Sequence, residues 1–200
     1  MTISWSAEVR IARGPVAAFR KLAADSKSGA WVLVRRPLLL AFVLGCAVSV
    51  LASGRMSARL IADGSLSFAF VPVIELAAVA VVFATGQRPL PFARSVDLFF
   101  TGNAPWLLWL IALMTLGSLQ TPRQTAALSI PPAAWIALGS LVPVVAWSAW
   151  IDFRFFREVL LETPRRAFRD VLLFRLIAWP CALFYFLGYA IGPEVRGAMS

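Results

Sequence analysis

Five long apolar runs constrain this chain more than any other feature, because each is about as long as a bilayer core is thick. A helix crosses that core with about 17–25 predominantly apolar residues. Of the 200 residues, 60% are hydrophobic and only 14% are charged, whereas a soluble domain has about 25% charged residues. The sequence predicts an all-α, polytopic integral membrane bundle with five transmembrane helices; four spans with one re-entrant segment is the alternative. The predicted spans are residues 37–54, 66–86, 104–120, 131–151 and 171–192.

The distribution of basic residues predicts the orientation of these spans. If the N-terminus is cytoplasmic, the inner segments and their margins hold fifteen Lys and Arg residues and the outer segments hold four. Such an excess is typical of the cytoplasmic side, so we expect an N-inside, C-outside topology. Residues 1–36 then form a cytoplasmic segment, 37–192 the membrane domain and 193–200 a short outer tail. Seventeen Arg against two Lys is typical of a GC-rich bacterial gene, which indicates the bacterial cytoplasmic (inner) membrane.

Two cytoplasmic stretches of similar sequence predict helices that lie along the membrane surface. "PVAAFRKL" (15–22) and "PRRAFRDV" (164–171) each begin with a proline, which is well tolerated at the first helical position. In the first stretch Val16, Phe19 and Leu22 share one face, and the basic residues point elsewhere. An amphipathic helix of this kind lies in the headgroup region with its apolar face toward lipid.

Three stretches carry a likeness to a known family. "PVAAFRKL" precedes the first span, "SGRMS" (53–57) follows it, and "RPLPFARSVDLFFTGNAPWLLW" (88–109) leads into the third. In these placements of Pro, aromatic and Arg residues the chain resembles the Yip family, the Ypt/Rab-interacting membrane proteins, over residues 15–192. The resemblance implies five closely spaced spans and a non-enzymatic role as a membrane organiser or scaffold. Eukaryotic members are associated with vesicle traffic and small GTPases, and this chain lacks their long polar N-terminal region.

Glu75 lies near the middle of the second predicted span, where a charged group costs about 2.5–3.5 kcal/mol on insertion scales. Protonating it at neutral pH costs about 3.7 kcal/mol, so its partners decide its state. Without an ion partner we expect the neutral acid. Arg175 is the only base within a predicted span. A pair with Glu75 requires the two side chains to bridge about 10 Å along the membrane normal, and the alternative is that Arg175 extends to the headgroups.

Pro72, three residues before Glu75, predicts a kink, because proline removes a helical hydrogen bond and clashes with the carbonyl of Phe68. A proline kink beside an intramembrane acid is typical of transporter sites. In one interpretation the kink aids packing and Glu75 bonds to a hydroxyl of another helix. In the other, the protein is a small transporter or channel subunit in which Glu75 titrates. The candidate hydroxyls are Ser49, Thr115, Ser140, Ser148 and Tyr185.

Two further sets of residues predict contacts with lipids and partners. Five arginines of the longest inner loop fall within sixteen residues, which indicates contact with the anionic headgroups of the inner leaflet. Gly188 and Gly192 form a small-xxx-small pair, which indicates a helix contact with a second copy or another membrane protein. The arginines are Arg154, Arg157, Arg165, Arg166 and Arg169.

The sequence lacks the usual signatures of catalysis and of nucleic-acid binding. It contains no histidine, the commonest metal ligand and general base, and no P-loop, dinucleotide or hydrolase motif. Its basic residues flank apolar spans and do not cover a polar domain, so no nucleic-acid partner is expected. The sequence therefore predicts a non-enzymatic protein with no catalytic residue, cofactor or metal.

Overall fold

The structure, a computed structural model, describes residues 6–24, 29–85, 89–118 and 132–198, with all side chains except those of residues 6, 52, 117, 132–138 and 186–198. Every regular element in these ranges is an α-helix, as the composition predicts. They are α1 (Ser6–Arg13), α2 (Pro15–Ala23), α3 (Ala30–Ser53), α4 (Ala58–Ser67), α5 (Phe70–Ala84), α6 (Phe92–Thr101), α7 (Ala104–Ser118), α8 (Pro132–Glu158) and α9 (Pro164–Ala198).

Two or three segments of the described chain are long and apolar enough to cross a membrane. One is Ala30–Leu51 of α3, and another is Ala58–Ala84, which joins α4 to α5. The third is a broken pair in which α6 and Ala104–Leu116 of α7 meet at a bend of 42°. The third predicted span is therefore the second arm of a bent helix pair, and residues 119–131, where its predicted end and the outer loop fall, lie outside the described residues.

The outer surface of the bundle is apolar, as expected of helices that face lipid. Large hydrophobic side chains on several helices have more than half of their surface exposed. A monomeric soluble protein does not expose apolar area on this scale without a partner or a membrane. The examples with exposures between 53% and 75% are Leu38, Phe42, Val73, Val142, Leu176 and Phe184.

α3 and α4 form a tight antiparallel hairpin. The turn begins at Gly54, whose φ of 68° is left-handed and suits glycine. Ser49 then fastens the turn, because its Oγ donates to the carbonyl of Arg55 and accepts from the backbone N–H of Ser57, both at 2.9 Å. Farther along, Gly45 faces Gly64, and a Cβ built on Gly64 would lie 3.1 Å from the Gly45 Cα. The two helices thus pack backbone to backbone.

α6 is the central element of the core, although its sequence lies between the second and third predicted spans. Eight consecutive residues, Arg94–Thr101, are buried. The ring of Phe99 meets Phe155 of α8 at a centroid distance of 5.4 Å and Phe174 of α9 at 4.9 Å. Because α6 is enclosed by other helices, its charged residues Arg94 and Asp97 need partners within the protein.

α2, the first of the two predicted surface helices, packs against α8. Phe19 is fully buried, and its ring meets Phe155 edge-on at a centroid distance of 5.7 Å. Arg20 donates to Glu158 from Nε at 2.9 Å and from Nη2 at 2.7 Å. The aromatic C-terminal end of α8 therefore covers this face of α2. Phe168, the corresponding residue of the second stretch, is 64% exposed.

Candidate intramembrane site

A cavity of about 310 Å³ lies among α3, α5, α7, α8 and α9. Most of its wall is aliphatic or aromatic, with three tryptophans, Trp106, Trp109 and Trp179. A small set of polar side chains converges on it from three helices and from the junction between α6 and α7. These are Glu75, Asn103, Ser148, Asp152 and Arg175. An apolar cavity with a few convergent polar groups is the usual form of a small-molecule site.

Glu75 projects from α5 into this cavity and has a neutral hydrogen-bond donor. The Nδ2 of Asn103 donates to Glu75 Oε2 at 2.9 Å. Asn103 is 6% exposed and precedes α7, where its carbonyl accepts from the N–H of Leu107 at 3.0 Å. The bend between α6 and α7 thus positions the amide. A partner of this kind was not among the hydroxyls considered from the sequence.

Arg175 lines the same cavity but pairs with a different acid. Its Nη2 donates to Asp152 Oδ2 at 2.7 Å and to Ser148 Oγ at 3.1 Å. Ser148 and Asp152 are four residues apart on α8, so they share one helical face, and both are at least 97% buried. The Nε1 of Trp106 also donates to Ser148 Oγ, at 3.0 Å. Arg175 is therefore held within the bundle by α8.

Pro72 is buried and lies in the first turn of α5. The helix is interrupted between α4 and α5 at residues 68–69. The Phe68 carbonyl cannot accept a hydrogen bond from Pro72, whose nitrogen carries no hydrogen, and accepts instead from the N–H of Val71 at 3.1 Å. Proline is well tolerated in a first turn, where its missing N–H has no helical partner to lose. This interruption sets the direction of α5, and Glu75 lies in the second turn of that helix.

Two members of the site, Asn103 and Asp152, were not predicted from the sequence. Each lies at the margin of an apolar run, where a polar residue ordinarily marks the end of a span. For Asp152 a signal was present: Ser148 and Asp152 form an i, i+4 polar pair at the end of the fourth run. For Asn103 no local signal was available, because its partner lies 28 residues away.

A second polar cluster joins the N-terminal helices to α3 and α6. Asp97 is fully buried. Its carboxylate accepts from Arg35 at 2.7 Å twice, from Arg36 at 2.8 Å and from Arg94 at 2.8 Å. Arg36 also pairs with Glu8 of α1. Three guanidinium groups thus share two buried carboxylates, which gives a network of charge-assisted hydrogen bonds.

The five predicted headgroup arginines divide into two groups. Three have partners in the protein. Arg154 lies 3.9 Å from Glu158 and 4.0 Å from the centroid of the Trp150 ring. Arg166 lies 3.7 Å from Glu162, and Arg169 lies 2.6 Å from Asp170.

The other two headgroup arginines, Arg157 and Arg165, are exposed and form no ion pair within 4 Å among the described side chains. They flank the turn between α8 and α9, in which Leu161 is 75% exposed with a φ of 56°. Within this turn, burial raises the pKa of Glu162 to about 7, and the charge of the neighbouring Asp170 acts in the same direction.

The predicted helix contact through Gly188 and Gly192 falls on α9. The packing around these two residues lies outside the described side chains. Among the residues that the structure does describe, no group of three or more His, Cys, Asp or Glu side chains could hold a metal ion. No family model matches the chain, and no curated protein or solved structure matches it.

Proposed function

We propose that this chain is a multi-pass protein of the bacterial inner membrane with five spans and an N-inside, C-outside topology. Support comes from the lengths of α8 and α9, which have 27 and 35 residues. A helix of 27 residues is about 40 Å long and exceeds the roughly 30 Å hydrocarbon core. The excess of basic residues on the proposed inner side supports the orientation.

Reporter fusions test this topology. Alkaline phosphatase and a fluorescent protein joined after residues 60, 90, 125, 160 and 200 should report outside, inside, outside, inside and outside in turn. A fluorescent, phosphatase-negative fusion after residue 200 would contradict the five-span arrangement.

Within that topology we propose a non-enzymatic protein that binds a small solute in the membrane, as a small transporter or channel subunit does. The observation that supports this most is the cavity of about 310 Å³ into which Glu75 projects beside the Asp152–Arg175 pair. A concave, mostly apolar cavity with a few convergent polar groups is the usual form of a small-molecule site. Ionisable residues at membrane depth cost stability and are typical of functional sites. A cavity that combines both features fits binding better than packing.

The test is solute-linked proton movement in proteoliposomes that contain a pH-sensitive dye. Wild-type protein should give a dye response when a transported solute is added from a panel of small amines, acids and sugars. Glu75→Gln should abolish the response, because the amide cannot exchange a proton. Asp63→Asn is the matched control, because Asp63 is an exposed acid of α4 whose side chain is 63% accessible. No response from wild type or either variant would contradict the transport proposal.

A Yip-like membrane organiser is the second candidate, and one surface favours it. Arg157, Arg165, Leu161 and Phe168 are all exposed around the start of α9, and cations interleaved with apolar side chains suit an anionic leaflet. Native mass spectrometry of detergent-purified protein should detect retained phosphatidylglycerol, and Arg157→Gln with Arg165→Gln should reduce it. Arg59→Gln is the control, because Arg59 is an exposed arginine of α4. Equal retention in all three proteins would contradict this role.

A further inference from the structure

We propose that the cavity ligand is a small lipophilic organic monocation, such as an aryl or alkyl ammonium ion, held by Glu75 and the tryptophan rings. This inference rests on the proposed solute-binding function and names its substrate class.

The charges in the cavity wall point to a cation. Of its three ionisable residues, Asp152 and Arg175 pair with each other at 2.7 Å. Glu75 has the neutral amide of Asn103, at 2.9 Å, as its hydrogen-bond donor. With Glu75 ionised, the wall therefore lacks one positive charge. A monovalent cation supplies that charge, whereas an anion would meet two carboxylates and a guanidinium that is already paired.

The tryptophans supply a surface suited to the same charge. The Nε1 of Trp106 donates to Ser148 at 3.0 Å, and that of Trp109 donates to Ser140 at 2.9 Å. These bonds fix the two indoles edge to face, with ring centroids 6.0 Å apart. Tryptophan faces attract cations within about 6 Å of the ring centroid, and quaternary ammonium recognition uses this attraction. The guanidinium of Arg175 already lies 5.2 Å from the Trp179 centroid.

The size and polarity of the cavity restrict the cation further. A volume of about 310 Å³ is at the small end of the range for ligand sites. The side-chain oxygens of the wall come from four residues, and two of these, Ser148 and Asp152, already accept hydrogen bonds from Arg175. A hydrated inorganic cation would therefore lose solvation without replacement, whereas an organic cation buries its own apolar groups against Leu40, Leu44 and Ile74, which also line the cavity.

The test compares three molecules of similar shape and different charge. Phenyltrimethylammonium is the cation, tert-butylbenzene is its neutral isostere, and benzenesulfonate is the anion. Binding to purified full-length protein in detergent is measured by equilibrium dialysis at constant ionic strength. We expect one site for phenyltrimethylammonium, and affinity at least about tenfold weaker for the other two. Glu75→Gln should weaken cation binding about tenfold or more and leave tert-butylbenzene unchanged, and Glu75→Asp should restore part of the cation affinity.

Each outcome decides one of the proposals. Cation-selective binding that depends on Glu75 supports the inference. Binding of tert-butylbenzene or benzenesulfonate as tight as that of the cation overturns the inference but leaves a solute-binding cavity. Failure of all three to bind, together with a silent dye assay, overturns the proposed function itself. The comparison of the three molecules on wild-type protein holds even if Glu75→Gln does not fold.

Discussion

Arg175 of α9 forms its ion pair with Asp152 of α8, at 2.7 Å, although Glu75 lines the same cavity. The pair ties α8 to α9 and gives the arginine a partner within the bundle. It also leaves Glu75 with an amide as its donor, and the proposed cation site depends on this division.

The Asp152–Arg175 pair predicts a specific pattern of coupling in double-mutant cycles. Arg175→Gln should lower stability by about 3–5 kcal/mol, because it leaves a buried carboxylate without its partner. Adding Asp152→Asn should recover part of the loss, whereas adding Glu75→Gln should recover little. Thermal unfolding in detergent measures each variant. Stronger coupling of Arg175 to Glu75 than to Asp152 would contradict the pairing seen in the structure.

Among the acids of the N-terminal half, Asp97 is predicted to lower stability the most when it is replaced. Asp97→Asn removes the carboxylate on which three arginines converge and should cost about 3–5 kcal/mol, or about 2–4 °C in Tm for each kcal/mol. Asp63→Asn is the control, because an exposed pair such as Asp63–Arg59 contributes about 0–1 kcal/mol. Equal Tm values for the two variants would show that the buried cluster does not hold the helices together.

Phe19 and Phe168 occupy equivalent places in two similar sequences but differ in their surroundings. Phe19→Ala should cost about 3–5 kcal/mol, because it opens a cavity in the core. Phe168→Ala should have a much smaller effect on stability, because that ring is 64% exposed. The two unfolding temperatures, measured in one detergent, provide the test. Equally small losses of stability in the two variants would contradict the packing of α2 against α8.

Two Gly→Ala changes are predicted to have opposite effects, because one glycine lies in the close contact between α3 and α4 and the other faces open space. A Cβ on Gly45 would collide with the Ser65 side chain and the Ile61 carbonyl, and would lie 2.8 Å from the Ser65 backbone nitrogen. Gly45→Ala should therefore separate the helices and reduce the yield of folded protein. Gly139 of α8 has no atom within 4 Å of a built Cβ, so Gly139→Ala should be neutral or stabilising by about 0.5–1 kcal/mol. Size-exclusion profiles and Tm separate the two results.

The raised pKa of Glu162 predicts that stability depends on pH. Its pKa rises from 4.5 to about 7 on folding, through burial and then the charge of Asp170. The folded state then binds the proton more tightly, so this contribution is fully present below about pH 4.5 and is lost as the pH rises through about 7. Wild-type Tm should fall between about pH 5 and pH 8 more steeply than that of Glu162→Gln. Asp170→Asn should also reduce the slope, and identical slopes in all three proteins would exclude Glu162 as the source.

Local pattern predicted the helical class and several helix starts, because both depend on neighbouring residues. α2 begins at Pro15 and α9 at Pro164, as expected for proline in a first helical turn. The position of α6 could not be predicted in this way. Arg94 and Asp97 interrupt its apolar sequence, and such charges ordinarily indicate an exposed loop. Their burial depends on Arg35 and Arg36, more than 55 residues earlier in the chain.

For the same reason, only part of the candidate site could be predicted from the sequence. Glu75 and Arg175 were singled out because ionisable residues within apolar runs are costly wherever they lie. Asn103 and Asp152, which partner them, resemble ordinary span boundaries, and only the packing of α5, α7, α8 and α9 brings them to one cavity.

The burial of α6 also imposes an order on assembly. Arg35 and Arg36 are synthesised about sixty residues before Asp97, so the two arginines and the first span reach the membrane without their carboxylate. Phe155 and Phe174, which enclose Phe99, are synthesised later still. α6 can therefore reach its final surroundings only after α8 and α9 have been made, and the most deeply enclosed helix is among the last to be locked in place.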